Sequence, residues 1–153
     1  MRLVALEPRF MTVTYGAMGT TRVRTVEIAS MIQNDFGLEC ACHLTCVGLS
    51  RDQIDGQLEH IHGRGIENIV ALRGDPPRGQ DSFQVVEGGF AYANELVEHI
   101  RSSGRFDIAV GGYPEKHVKA PDLATALLNL ARKVDSGADV VITQLFSASV
   151  PVF

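Results

Sequence analysis

Apolar residues fall along this chain in two alternating kinds of run. Short runs rich in β-branched and aromatic residues, with no helical period, occupy residues 10–16, 39–47, 68–75, 106–113 and 139–146 and read as strands. Between them, apolar residues recur at helical spacing. Val26, Ile28, Ala29 and Ile32 form one stripe, Ile54, Leu58 and Ile61 a second, and Leu123, Leu127, Leu130 and Val134 another. A further helix is predicted over 91–103. Ser50 with Gln53 has the form of a capping box, while Gly37, Gly104 and Gly137 stand where glycine commonly ends a helix. The β-α unit repeats about every 30 residues, which marks a parallel sheet in one α/β domain spanning 1–153.

The run Ile69-Val-Ala-Leu72 is apolar at every position, as expected of a strand buried on both faces of such a sheet. It leads into Arg73-Gly74-Asp75 and then into a Gly/Pro-rich stretch, 76–89, read as a long loop. The other polar groups also collect at strand ends: Thr14-Tyr15, His43 with Thr45, Tyr113 to His117, and Gln144. Ligands of parallel α/β folds sit beyond the carboxyl ends of strands. No G-x-G-x-x-G is present, and contributions from successive strands are the habit of a (β/α)8 TIM barrel rather than a Rossmann sheet. Five strands are not eight, so the expected fold is an incomplete barrel. Arg73-Gly-Asp-Pro by itself is equally readable as an ordinary polar turn.

Composition narrows the classes. Hydrophobic residues at 45%, charged residues at 21% and a formal charge of −4 describe a globular chain without a footprint for nucleic acid or anionic membrane. No apolar run approaches the roughly 18–20 residues of a membrane span. Three cysteines within seven residues make no disulfide framework, and a reducing cytoplasm is the default compartment. Cys40, Cys42 and Cys46 share one strand face and His43 the other, so a tetrahedral metal site does not close. They read as small buried side chains. Asn129, Arg132 and Lys133 share one side of the last helix, either as a solvated face or as a grip on a pyrophosphate. His117, beside Lys116 and Lys119, leaves the same two readings open. His60, His62 and His99 show no convergent partners and read as surface residues, and no nucleophile elbow is present.

Taken in order, Val13-Thr-Tyr-Gly-Ala17, His43-Leu-Thr-Cys46, Ile69 to Pro77, Tyr113-Pro-Glu115 and Ile142-Thr-Gln-Leu-Phe146 resemble the methylenetetrahydrofolate reductase family over roughly residues 9–146. The resemblance implies a TIM barrel that binds FAD and reduces 5,10-methylenetetrahydrofolate to 5-methyltetrahydrofolate with NAD(P)H, the two substrates taking turns at one flavin face. It implies flavin contacts at Thr14, Tyr15, Ala17, His43, Arg73, Gly74, Asp75, Ala93, Tyr113, His117 and Ala120. Asn129, Arg132 and Lys133 would hold the ribose and diphosphate. Asp75 would lie near the ring and the folate and tune the flavin. Gln144 would touch both the nicotinamide and the folate.

The resemblance has gaps. Nothing here matches the family's Phe-Glu-Phe-Phe-Pro-Pro-like strand, whose glutamate is its proposed general acid. Ala126 stands where many members carry an aspartate for the adenosine part of the cofactor. The segment 147–153 departs from the family pattern and reads as a divergent tail of a truncated barrel. Such a chain is expected to leave open strand edges and uncovered helix-facing surface, and hence to self-associate or to need a complementing chain. The alternative to a reductase is a non-catalytic remnant that at most binds FAD.

Overall fold

A computed structural model describes residues 6–14, 21–75 and 85–146. Five strands form one sheet: β1 (Phe10–Val13), β2 (Glu39–Thr45), β3 (Asn68–Leu72), β4 (Asp107–Gly112) and β5 (Val140–Thr143). Four helices alternate with them: α1 (Thr21–Phe36), α2 (Arg51–Gly63), α3 (Ala93–Ser102) and α4 (Leu123–Asp135). The sheet order is β1-β2-β3-β4-β5 and every pairing is parallel. Each crossover thus steps one strand in the same direction, and crossovers of one hand then stack their helices on one face. The result is a (β/α) half-barrel. The strands are shorter than the apolar runs predict, because 73–75, 113 and 144–146 leave the ladder as loop.

The helix-facing side of the sheet is the core. Cys42, Ile69 and Ile108 are register partners on β2, β3 and β4, and the next layer is Leu44, Ala71 and Val110. All six are buried in one cluster with Val26, Ala29 and Ile32 of α1, Ile54, Leu58 and Ile61 of α2, and Leu96, Val97 and Ile100 of α3. Full burial of a side chain such as Ile or Leu contributes about 1.5–3 kcal/mol, so this layer supplies most of the stabilisation. Cys40, Cys42 and Cys46 belong to it as free thiols. Burial pushes their pKa up to about 11, 12 and 11.

Three expectations are corrected. Ile28 is exposed while Val26, Ala29 and Ile32 are buried, because position 28 falls on the solvent flank of the α1 stripe. The α4 stripe is present but largely uncovered: the helix has no fully buried residue, only Leu130 packs in part against the core, and Leu127 is 55% exposed. Two of the histidines of α2 and α3, His62 and His99, do have partners, while His60 keeps a buried Nε2 without a hydrogen-bond partner among the described residues. His99 Nε2 lies 2.6 Å from Asp55 Oδ1 and its ring rests on Phe90, His62 meets Phe106 edge-on, and the His60 ring is half-buried. The pair at Asp55 and His99 ties α2 to α3.

At the opposite edge of the core, Arg101 of α3 donates to the Gly137 carbonyl and to the Asp139 carboxylate, which also accepts the Ile108 N–H at 2.8 Å. Burial raises the Asp139 pKa, but these donors outweigh it and hold the carboxyl below its usual range. They fasten the start of β5 to β4. At the start of α2 the capping box is formed: Ser50 Oγ accepts the Gln53 N–H and Gln53 Oε1 accepts the Ser50 N–H at 3.0 Å. Ser50→Ala should therefore cost about 1 kcal/mol. An unchanged denaturant midpoint would show that the cap contributes nothing.

Candidate active site

The C-terminal ends of β3 and β4 open into a cleft of about 680 Å³. The chain leaves β3 as Arg73-Gly74-Asp75, still held by β2: the Cys46 N–H donates to the Leu72 carbonyl at 3.2 Å and the Val47 N–H to the Arg73 carbonyl at 3.0 Å. Gly74 turns with φ +89°, and a Cβ there would lie 2.5 Å from Val47 Cγ1. Only glycine can make this turn so close to β2. It leaves Arg73 half-buried and Asp75 exposed on the cleft wall.

β4 ends in two glycines. A Cβ on Gly112 would sit 2.7 Å from Val141 Cγ1, so the absence of a side chain lets β5 approach. The Gly111 carbonyl accepts from Lys133 Nζ on α4, and burial holds that ammonium's pKa below its ordinary value. One turn earlier on α4, Asn129 Oδ1 accepts from Arg132 Nη1 at 3.2 Å. Asp122 caps the helix by accepting the Thr125 N–H at 2.6 Å.

Between β4 and α4 the chain folds tightly. The Lys116 N–H reaches the Tyr113 carbonyl at 3.1 Å, and the Ala120 N–H reaches the His117 carbonyl at 2.9 Å. Lys116 itself sits at φ +82°. The His117 ring stands edge-on to Tyr113 at 4.5 Å, and its Nδ1 accepts the Lys119 N–H at 3.1 Å. Burial lowers the His117 pKa, and Arg73, Lys119 and Lys133 add to the effect against a weaker pull from Asp75.

Ten residues singled out in the sequence line this one cleft: Arg73, Gly74, Asp75, Ala93, Tyr113, His117, Ala120, Asn129, Arg132 and Lys133. Three others do not. Thr14 follows the edge strand β1, with its carbonyl accepting from Thr25 Oγ1 at 3.1 Å. His43 is half-buried within β2 on the face opposite the cysteines, beside Val70, and burial lowers its pKa. Gln144 is exposed after β5, though its N–H donates to the carbonyl of the cleft residue Gly112 at 2.8 Å. Tyr15, Ala17 and the 147–153 tail lie outside the described residues, as does most of the 76–89 loop.

Sequence reasoning gave Asn94 no cleft role and left Lys119, beside His117, open between a solvated face and a grip on the ligand; both line the same wall. Asn94 and Arg132 also border an adjoining, more open depression of about 480 Å³ between α3 and α4. Among the described lining residues the cleft carries four cations, Arg73, Lys119, Arg132 and Lys133, against the single carboxylate of Asp75. That balance suits a polyanionic ligand.

A family profile described as Methylenetetrahydrofolate reductase matches residues 1–149. The chain belongs to that family. It is 50% identical over 156 aligned residues to methylenetetrahydrofolate reductase (NADH) 1 of Arabidopsis thaliana, which covers 95% of this chain and 26% of the plant protein. It is 43% identical over 145 residues to 5,10-methylenetetrahydrofolate reductase of Salmonella typhimurium, covering 95% of this chain and 47% of that protein. This methylenetetrahydrofolate reductase family member thus spans about a quarter to a half of the length of these curated relatives.

Solved structures bear on the fold alone. A putative phosphonomutase from Burkholderia cenocepacia J2315 superposes with a TM-score of 0.62 at 13% identity, over 93% of this chain and 63% of that one. QR15, an aldolase, gives 0.57 at 19% identity, over 92% and 56%. Both accord with five parallel strands of an incomplete barrel. No helix among the described residues is long and apolar enough to cross a membrane.

The histidines give a pH prediction. Both imidazoles are shifted below the ordinary 6.5, so the unfolded chain binds their protons more readily than the folded chain does. Their contribution to stability is complete above about 6.5, is lost as pH falls through that value, and levels off below the folded-state midpoints. Ring C–H resonances of His43 and His117 should titrate below 6.5; a midpoint at or above it would contradict the burial argument.

Proposed function

We propose that this chain forms the central part of a flavin-dependent reductase that converts 5,10-methylenetetrahydrofolate to 5-methyltetrahydrofolate with NAD(P)H, in a reducing cytoplasm. One observation carries the reading: in a member of this family, a cleft with four cations lies at the carboxyl ends of parallel strands. Its volume of about 680 Å³ is in the range of cofactor clefts. Paired cations with a neighbouring amide are what a diphosphate requires, so the residues present fit FAD. The plant relatives carry NADH in their names, which makes NADH the first reductant to try.

In this reading Arg132, Lys133 and Asn129 hold the diphosphate and ribose. Lys133 is already oriented by the Gly111 carbonyl, so little side-chain freedom is lost on binding. Tyr113, His117, Ala93 and Ala120 line the remainder of the cofactor's path, and Arg73 with Gly74 borders the ring. Thr14, Tyr15, Ala17 and His43 complete the flavin contacts. Bound FAD supplies hydride acceptance from the nicotinamide and hydride donation to the folate. Asp75 places a negative charge beside the ring and opposes further negative charge there, while Gln144 orients the nicotinamide and folate in turn.

A second reading has its own observation. α4 has no buried residue and β5 is exposed along its length, with Val140 at 54%. In that reading the chain binds FAD without turnover, or gains turnover when a second copy or a complementing chain covers α4 and β5.

Gel filtration of the chain after adding FAD, followed by protein and flavin absorbance, tests both. Flavin should travel with the protein, and Arg132→Ala should weaken retention about tenfold through loss of a charge-assisted contact. Equal flavin content in the variant refutes the diphosphate role. Elution of the flavin-bound chain as a monomer refutes self-association. Asp75→Asn should move the bound flavin's potential upward by roughly 30 mV, the two-electron equivalent of about 1.4 kcal/mol. An unchanged potential removes Asp75 from the ring's surroundings.

A further inference from the structure

The tight fold between β4 and α4 brings a cation into the cleft that the family motifs leave unassigned. Lys119 lines the cleft beside His117 and Ala120. Its backbone N–H donates to His117 Nδ1, which fixes that nitrogen as an acceptor and leaves the neutral ring's hydrogen on Nε2. The turn therefore carries two donors of different kinds: a neutral imidazole N–H and an ammonium two residues later.

We propose that residues 117–119 form a second phosphate-binding element of the cleft, in which the Lys119 ammonium and the His117 Nε2–H engage the ligand's diphosphate together with Arg132 and Lys133. The proposal rests on the dinucleotide reading of the cleft and goes beyond it in naming what sets affinity for the phosphates.

Charge bookkeeping favours it. No carboxylate among the described residues lies within ion-pair distance of Lys119, and Asp122, the nearest acid in sequence, is committed to capping α4. Arg73, Lys119 and Lys133 all act on the one imidazole, so the cations are crowded enough to repel each other. An anion seated among them relieves that repulsion, and every cation added to the cluster strengthens its hold. The backbone bond to His117 Nδ1 does not depend on the Lys119 side chain, so the ammonium can be removed without dismantling the turn.

The test is fluorescence titration of FAD, FMN and riboflavin into the chain and its Lys119→Gln, Lys119→Arg and Arg132→Ala variants. Lys119→Gln should weaken FAD and FMN about five- to tenfold, leave phosphate-free riboflavin unchanged, and flatten the salt dependence of FAD binding. Lys119→Arg should stay within about twofold of the parent. Equal weakening for all three flavins would show that Lys119 acts only through the turn, and overturns the proposal. Undiminished FAD binding in Lys119→Gln, with Arg132→Ala impaired, overturns it while leaving the diphosphate reading intact. A parent chain that binds none of the three flavins removes both.

Discussion

Cys42, Ile69 and Ile108 stand side by side on three parallel strands, almost wholly withdrawn from solvent beneath the helices, and the layer they begin fixes where the strands end. A parallel strand has no hairpin to set its register. Its position comes from packing on the helix-facing side and from what ties its ends. Here the packing runs through Leu44, Ala71 and Val110, and the ties are the N–H groups of Cys46 and Val47, just past β2, that hold Leu72 and Arg73. The cleft hangs from this frame. Arg73, Gly111 and Tyr113 are placed by strands and their ends, and Arg132 and Lys133 by a helix whose Lys133 bonds the Gly111 carbonyl and whose Leu130 packs in part against the core.

Stability and chemistry are thus divided unevenly across the sheet. β2, β3 and β4 are sealed, while β5 and α4 carry apolar side chains into solvent. α4 nevertheless contributes six lining residues to the cleft. Its hold on the core gathers at its C-terminal end, where Lys133 bonds Gly111, Arg101 bridges to Gly137 and Asp139, and Leu130 and Ala138 pack in part against the core. A helix so supported is anchored at its C-terminal end and leaves most of its apolar face for whatever packs against it.

Much of this was legible in the sequence, for identifiable reasons. Short apolar runs without a helical period located all five strands; in β3 the cause is burial on both faces, whereas β1 and β5 keep the same apolar composition though exposed. Ser50 and Gln53 announced their cap because both partners lie within one turn. Local pattern could not reveal who would cover a stripe: Leu123, Leu127, Leu130 and Val134 are correctly periodic and still unburied. Nor could it reveal pairs made across 44 residues, such as Asp55 with His99. The cleft was half-readable. Arg73, Asp75 and Lys133 stood out by motif, whereas Lys119 was legible only as one of two open readings beside His117, since the crossing that brings it to the cleft, with Lys116 in a left-handed backbone, carries no periodic pattern.

The three thiols of the second strand have a use that packing alone does not suggest. With pKa values near 11 to 12, almost none of their sulfur is thiolate at neutral pH, and the side chains are closed to reagents while the sheet is intact. Alkylation must then wait for the strand to part from its neighbours, and its rate counts those openings. Nature has in effect placed a clock at the centre of the sheet. Cys46 touches Arg73 at the cleft wall, whereas Cys40 and Cys42 pack under the helices, so a label on these two can time how often the frame breathes with least disturbance to the groups that would grip a ligand.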